Sequence, residues 1–257
     1  MKQCILSLSG GMDSTSLLLH LLANNCKVTA ISFNYGQKHN HELQMAIKNI
    51  AYLKAHKFSI EHHIVDLSSI MSTFHSALTS SEIEVPEGHY AEENMKKTVV
   101  QNRNAIFMAI IYGKALSIAD VTGQEILISL AVHSGDHAIY PDCSSEFRNA
   151  IMKAFEIGNY NSEAVIAYTP YMELNKTTIL EDAQQACRRL ELDFDTVMKN
   201  TNTCYHPDEQ GRSCGKCGSC VERAEAFIAI KRDDPVQYTI GWEQVKNNVL
   251  NLITNKQ

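Results

Sequence analysis

The strongest constraint on the fold is the way the apolar period changes along the first 65 residues. Gln3 to Leu8 is a short apolar run of strand type, and the stretch from Asp13 to Asn24 then places Leu17, Leu18, Leu21 and Leu22 at the spacing of a helix that buries one face. Lys27 to Phe33 reads as a strand, His41 to His56 as a helix and Ser59 to Val65 as a third strand. A β-α-β-α-β order of this kind predicts a parallel sheet with helices on both faces. The alternation resumes with a long buried helix over Asn102 to Ala119, a strand over Gln124 to Ala131, a helix over Ser145 to Gly158, a strand over Ala164 to Tyr168 and a helix over Lys176 to Leu190. The expected fold is therefore α/β and Rossmann-like, with a five-stranded parallel sheet. Between the halves, Ser68 to Lys97 lacks a period and reads as an irregular insertion able to fold over a site.

Beyond Asn200 the composition turns to Cys, Gly and Lys, followed by a helix over Val221 to Lys231 and a polar tail. We expect two units, an α/β domain over 1–200 and a small module with a helical tail over 201–257. With 23 Lys and Arg against 29 Asp and Glu the net charge is −6, which argues against a partner gripped through many phosphates. Nucleic acid is not an expected partner. Neither is a membrane: the longest apolar run, Ala105 to Tyr112, is interrupted by Gly113 and Lys114, and Cys4 to Leu8 is too short for the core of a leader. The expected location is the cytoplasm.

Where the first strand meets the first helix stands Ser9-Gly10-Gly11-Met12-Asp13-Ser14. This is the edge of a parallel sheet at which ligands bind. Glycines allow an anion to approach the backbone, the free N–H groups of a helix start point at it, and Ser9, Ser14 and Thr15 add hydroxyls. The field of the helix end contributes only about 0.3–1 kcal/mol, so hydrogen bonds to charged oxygens at roughly 1.5–3 kcal/mol each must dominate the grip. A Walker loop would need Lys then Ser or Thr after its second glycine, which this segment lacks. The plain alternative is a glycine turn with Asp13 or Ser14 as helix cap.

Four of the eight cysteines crowd into Cys204, Cys214, Cys217 and Cys220. Four thiolates at such spacing suit a tetrahedral zinc ion, which would staple a segment too short to build its own core. An iron–sulfur cluster also takes four thiolates, but the bacterial ferredoxin run has a tighter last spacing and a Pro after the final Cys. Cys4, Cys26 and Cys187 read as small core residues. Among the histidines, His133 and His137 with Asp136 form a candidate second site for metal or substrate, and His41-Glu42 lacks the second His of a metalloprotease.

The loop at Ser9 to Ser14 resembles that of the PP-loop ATP pyrophosphatase superfamily. Four further segments narrow it: Phe33-Asn34-Tyr35-Gly36-Gln37-Lys38-His39, Gln101-Asn102-Arg103-Asn104, Tyr140-Pro141-Asp142-Cys143, and Thr169-Pro170 with Lys176. Together with the cysteine quartet and the helix Arg223 to Phe227, their order and separation are similar to those of the 7-cyano-7-deazaguanine synthase (QueC) family, over residues 3 to about 230.

That resemblance implies cleavage of ATP to AMP and pyrophosphate, with adenylation of a carboxylate on 7-carboxy-7-deazaguanine. Attack by ammonia then gives an amide, and a second adenylation gives the nitrile. It implies ATP, Mg and Zn as cofactors and a homodimer. Leu8, Ser9, Gly10, Gly11, Met12, Asp13, Ser14, Thr15, Ser16, Leu17 and Leu18 would hold the nucleotide, and Lys176, Arg103 and Asp13 would be catalytic. Tyr35, Gln37, His39, Arg103, Asn104, His133, Asp136, Tyr140 and Asp142 would meet the substrate, with Tyr35 stacking on its ring and Asp142 accepting from its N1–H and exocyclic amine. Cys204, Cys214, Cys217 and Cys220 would hold the metal. Two positions depart from the family pattern: Gln101 replaces a Pro, and Gly218 replaces an Asp between the last two cysteines. Two other enzymes stay open at this stage, a ligase that joins the activated carboxylate to another amine such as a protein amino group, and a tRNA-modifying PP-loop enzyme. A zinc-ribbon binding module without catalysis would leave the glycine loop without purpose.

Overall fold

The computed structural model describes residues 1–38, 40–80, 82–90, 92–136 and 139–254. Strand β1 (Gln3–Ser7) runs through the glycine loop into α1 (Met12–Ala23), and β2 (Lys27–Asn34), α2 (His41–Ala55) and β3 (Ile60–Asp66) follow. The insertion holds a single helical turn, α3 (Ser68–Met71), and a 3₁₀ segment at Glu93–Thr98. Next come α4 (Arg103–Thr122), β4 (Ile126–Ser129), α5 (Ser145–Gly158), β5 (Val165–Ala167) and α6 (Lys176–Arg189). The chain closes with α7 (Phe194–Lys199), α8 (Gly218–Ala229) and α9 (Trp242–Thr254).

All five strands pair in parallel in the order β3-β2-β1-β4-β5. The chain builds outward from β1 to β3 on one side, then returns to lay β4 on the other side of β1. Such a reversal opens a crevice at the carboxyl ends of the two strands, because the connections leave β1 and β4 in opposite directions. The period of two along β1 divides the core. Cys4 and Leu6 face α1, α2 and α6, while Ile5 joins Ile31, Phe33, Ile126 and Ile128 under α4. In α1, Leu17, Leu18, Leu19 and Leu21 are fully buried, at about 1.5–3 kcal/mol each for removal from water.

The expected strands and helices over 3–66 stand within a residue or two of their places. Four differences have clear causes. The strand expected over Gln124 to Ala131 pairs only at Ile126–Ser129, because its end opens into the crevice. Helix α4 is buried along one side rather than all round. Phe107, Met108, Ile111, Tyr112, Ala115 and Ala119 are its buried apolar residues, and the helix packs on β1, β4 and β5. Its 20 residues include an 18-residue stretch with a mean hydropathy of 1.5, long and apolar enough to cross a membrane even though Gly113 and Lys114 interrupt the apolar run.

The expected polar tail is instead α9. Trp242, Val245, Val249 and Leu252 recur at helical spacing, and Val245 and Val249 are completely buried beside Val221 and Ala224 of α8. Short α7 has no counterpart among the expected elements; Asp193 caps it by accepting from Thr196 N–H, and Phe194, Val197 and Met198 anchor it in the core. Cys4 and Cys187 are buried, as their reading required, whereas Cys26 is only half-buried at the core's edge.

Helix α8 joins the cysteine segment to the sheet. Its Ala226 and Phe227 belong to the same core as α1 and α6, while Cys220, Val221 and Ala224 belong to the cluster around α9. Between them Arg223, 1% exposed, donates to both carboxylate oxygens of buried Asp234 at 2.6 and 2.9 Å and to Thr201 Oγ1 at 2.7 Å. Tyr238 Oη also donates to Asp234, at 2.7 Å. A buried guanidinium is tolerated only when its fork is filled in this way.

Candidate active site and metal centre

Gly10 takes a left-handed φ of +92°, and a side-chain carbon there would lie 2.0 Å from the Glu42 carbonyl oxygen and 2.9 Å from Ala46 N. Glycine is required because the first turn of α2 rests directly on the loop. The Asn202 N–H donates to Gly10 O at 3.0 Å from the other side. Gly11 then serves as N-cap of α1 without a side-chain cap, so neither Asp13 nor Ser14 fills the capping role. The Gly11 N–H donates to Ser9 Oγ at 3.1 Å, and the hydroxyls of Ser9 and Ser14 meet at 2.9 Å. Two buried oxygens of the first turn, Asp13 Oδ1 and Thr15 Oγ1, have no hydrogen-bond partner. The start of α1 therefore has no side-chain cap, and the hydroxyls of Ser9 and Ser14 are bonded only within the loop itself.

The loop forms one wall of a cavity of about 210 Å³ at the crevice between β1 and β4. Lys176, at the first position of α6, reaches into it 94% buried and donates to Glu222 of α8 in a very short hydrogen bond. Asp13 Oδ2 lies 3.5 Å from the same ammonium. Burial works against the charge on Lys176, but Asp13, Glu222 and Asp136 outweigh it and hold the ammonium protonated. His133, 1% exposed, stands among these carboxylates: Nε2 is 3.5 Å from Asp136 and 3.9 Å from Asp13, and Nδ1 is 3.9 Å from Glu222. Burial pushes the Asp136 carboxyl above its ordinary range. Gly135 permits this crowding, since a side chain there would come within 2.3 Å of Glu222 Oε1.

The opposite wall is aromatic and apolar, with Tyr35, Phe107, Leu130 and Val132, and carries Arg103 at the start of α4. Phe33 and Phe107 stack at 4.0 Å, with Tyr35 tilted against Phe107 at 5.8 Å. Gln37 lines the cavity and accepts from Tyr35 N–H at 2.9 Å, closing the turn after β2. Tyr140 is bonded to Thr98 Oγ1 at 2.5 Å and Tyr205 Oη at 3.2 Å. Glu42 lines the cavity from α2. Burial pushes its carboxyl up to about 7, against the pull of Arg103.

The structure gathers Ser9, Gly11, Asp13, Ser14, Tyr35, Gln37, Arg103, Asn104, Asp136, Tyr140 and Lys176 around one cavity. It places other expected residues elsewhere. Leu8, Met12, Leu17 and Leu18 are buried in the core, and Ser16 Oγ donates back to Met12 O at 2.8 Å, because the continuing helix turns these positions away from the crevice. Gly10, Thr15 and His133 are buried and do not line the cavity. Asp142 does not line the cavity; its Oδ2 accepts from Asn104 N–H at 3.3 Å, which places its charge at the first turn of α4. His39 and His137 lie outside the described residues. Glu42 and Glu222 were not anticipated. The one signal for Glu42 was its place at the start of a helix directly after the Tyr35 to His39 segment, and the one for Glu222 was its position two residues past the last cysteine.

Cys204, Cys214, Cys217 and Cys220 come together with all four sulfurs within 4.8 Å of one another. Cys214 and Cys220 are 4.0 Å apart. A tetrahedral ion at about 2.3 Å from each sulfur needs separations of roughly 3.8 Å, so the quartet fits a metal ion. Backbone N–H groups of His206 and Cys214 point at Cys204 Sγ at 3.3 and 3.2 Å, and those of Lys216 and Cys217 point at Cys214 Sγ, both at 3.4 Å. Such donors favour thiolates, and the neighbouring thiols together with Lys216 N–H lower the pKa of Cys214. Gly218 has its own reason here. A side chain on it would lie 2.9 Å from Tyr90 Cα, because the insertion crosses the quartet with a Gly88 N–H to Lys216 O bond of 3.1 Å.

The family model for the queuosine biosynthesis protein QueC matches residues 3–231. The chain belongs to the QueC family. Within it, the 7-cyano-7-deazaguanine synthase 2 of Colwellia psychrerythraea is 42% identical over 241 residues, 93% of this chain and 100% of that protein. The 7-cyano-7-deazaguanine synthases of Methanoregula boonei and of a Marinomonas species are 43% and 40% identical, covering 92% of this chain each and 99% and 98% of their own lengths. All of the cavity wall and all four cysteines fall inside the span that matches QueC, while α9 lies beyond it.

Proposed function

We propose that this QueC-family chain is the ATP-dependent ligase that converts 7-carboxy-7-deazaguanine and ammonia to 7-cyano-7-deazaguanine for queuosine biosynthesis. The observation that carries the reading is a single cavity in which an uncapped helix start with Ser9, Gly11 and Ser14 faces Lys176 on one side and Arg103 with an aromatic wall on the other. A carboxylate is a poor electrophile, and transfer of AMP to its oxygen supplies a leaving group. The N–H and hydroxyl groups of the loop would take the pyrophosphate that departs, and buried Lys176 would neutralise charge growing on it. Arg103 suits a planar carboxylate through its bidentate fork, and Tyr35 and Phe107 offer the heterocycle an apolar face. Holding the acid and the α-phosphorus in one enclosed site accounts for a large part of the rate gain. Asn104 and Tyr140 border the same acceptor side.

Asp13, Asp136 and Glu222 outnumber Lys176 by three charges to one, so a triphosphate entering here calls for a divalent counter-ion. Magnesium would supply it, with the partnerless buried Asp13 Oδ1 as a ligand. Zinc would occupy the cysteine quartet as a structural ion that fixes the start of α8, and hence Glu222. A homodimer is supported by Val121, Ile157, Tyr160 and Ile166, all exposed apolar side chains near the free edge at β5. Eight cysteines free of disulfides accord with the cytoplasm, and the acidic balance of the chain with a small-molecule substrate rather than nucleic acid.

Incubation of the purified protein with Mg-ATP, 7-carboxy-7-deazaguanine and ammonium is expected to yield AMP and the nitrile, read by mass spectrometry. ADP in place of AMP would refute the nucleotide chemistry. AMP without nitrile would point to an amine other than ammonia.

A further inference from the structure

A nitrile nitrogen carries no hydrogen and ammonia carries three. The reaction therefore removes three protons from one atom, at one place in the cavity. One leaves as the N–C bond forms and AMP departs from the acyl adenylate. Another leaves as the amide oxygen takes up the second AMP, and the last as the C–O bond to that AMP breaks and the C≡N bond closes. In the first and last of these steps the leaving AMP carries away the electron pair of its C–O bond, in the middle one pyrophosphate leaves with the electron pair of the P–O bond of ATP, and each proton needs a base beside the nitrogen.

The cavity offers few acceptors. Arg103 from α4 and Lys176 from α6 are cations. Tyr35, Tyr140, Tyr205 and Cys143 stay protonated, because burial pushes each above its ordinary value, while Cys204 belongs to the sulfur quartet and His133 is not among the lining residues. Asp13 is committed to Lys176 at 3.5 Å, and Asp136 to His133 at 3.5 Å. Lys38, from the turn after β2, is a donor already bonded to Ile83 O at 2.5 Å. Glu42 remains. Among the described residues its carboxylate accepts no hydrogen bond, and it faces the cavity from the first turn of α2, whose backbone rests on Gly10 of the nucleotide loop. That contact places it beside the phosphate-binding end, with Arg103 across from it.

We propose that Glu42 is the proton acceptor for the attacking nitrogen, serving both amide and nitrile formation from its seat above the glycine loop. The inference rests on the proposed ligase reaction. Burial brings the carboxyl to about 7, the range in which a base accepts and releases protons at neutral pH. Only the ionised form acts, so turnover rises as pH passes upward through that value.

The test compares wild type, Glu42→Gln and Glu42→Asp, with substrate-dependent exchange of labelled pyrophosphate into ATP reporting adenylation alone, and kcat and KM for nitrile reporting the whole. Wild type is expected to show a limb in kcat rising through about 7. Glu42→Gln should keep the exchange reaction but lose roughly 10²–10⁴-fold in kcat together with that limb, with Glu42→Asp recovering part of both. A raised KM at unchanged kcat would make Glu42 a substrate anchor and overturn the proposal, as would equal losses in exchange and nitrile. A wild-type protein that makes no nitrile would instead overturn the reaction itself, and this assignment with it.

Discussion

The glycine loop after β1 and the cysteine quartet before α8 are both short turns written contiguously in the sequence, yet different forces hold them. The loop is clamped between secondary elements, with α2 above Gly10, Asn202 below it and α1 running from it into the core. Its shape comes from packing that exists without a ligand. The quartet lines up four sulfurs under a thin cover, the crossing segment at Gly88 to Tyr90 and helix α9. A metal ion in the quartet would tie those sulfurs together, and its shape would then rest on that ion. A contiguous motif thus says where chemistry is placed but not what keeps it in place.

Gly10→Ala should produce the largest effect, and should strike the loop alone. The added carbon cannot coexist with the Glu42 carbonyl at 2.0 Å, so α2 must move. Displacements of this size cost about 10²-fold or more in turnover. Pyrophosphate exchange is expected to vanish into background while bound metal, measured by atomic emission, stays at the wild-type level. Loss of metal as well would mean that the two regions are not separately held.

Cys217→Ser should do the converse. Metal content is expected to fall to a fraction of one ion per chain, and thermal melting to drop by about 10 °C or more, at roughly 2–4 °C per kcal/mol for a chain of this size. Exchange should weaken rather than disappear, because the loop keeps its own clamps while Glu222 loses its support. Val249→Ala sharpens the contrast at the smallest scale. Deleting two buried methyl groups between α9 and α8 should cost about 2 kcal/mol and leave turnover per folded molecule unchanged. An unchanged melting curve would show that the tail helix carries none of the load.

The sheet and its ligand edge were legible because they rest on period and order: β1 to β3 alternate as written, and Ser9 to Ser14 falls at the strand end. The four cysteines were legible because thiolate ligands cluster along the chain. The acceptor wall was not. Glu42 was set aside with His41 as an incomplete metal motif, and only the fold shows that α2 begins on top of Gly10. Asp142 has the right chemistry for a guanine-like edge, but the carboxylate serves the backbone of Asn104. Such assignments depend on where two distant segments meet, which no local pattern encodes. Helix α9 was within reach of its apolar spacing and was masked by Asn, Lys and Gln on its outer face.

Helix α8 has one further meaning. Its first turn carries Cys220, its second holds Glu222 against Lys176, and Phe227 near its end is locked in the main core. At about 1.5 Å per residue it is a stiff rod some 18 Å long, fixed at the far end and steered at the near one. It is in effect a lever: whatever tilts the sulfur end shifts Glu222, and with it the Lys176 ammonium in the cavity wall.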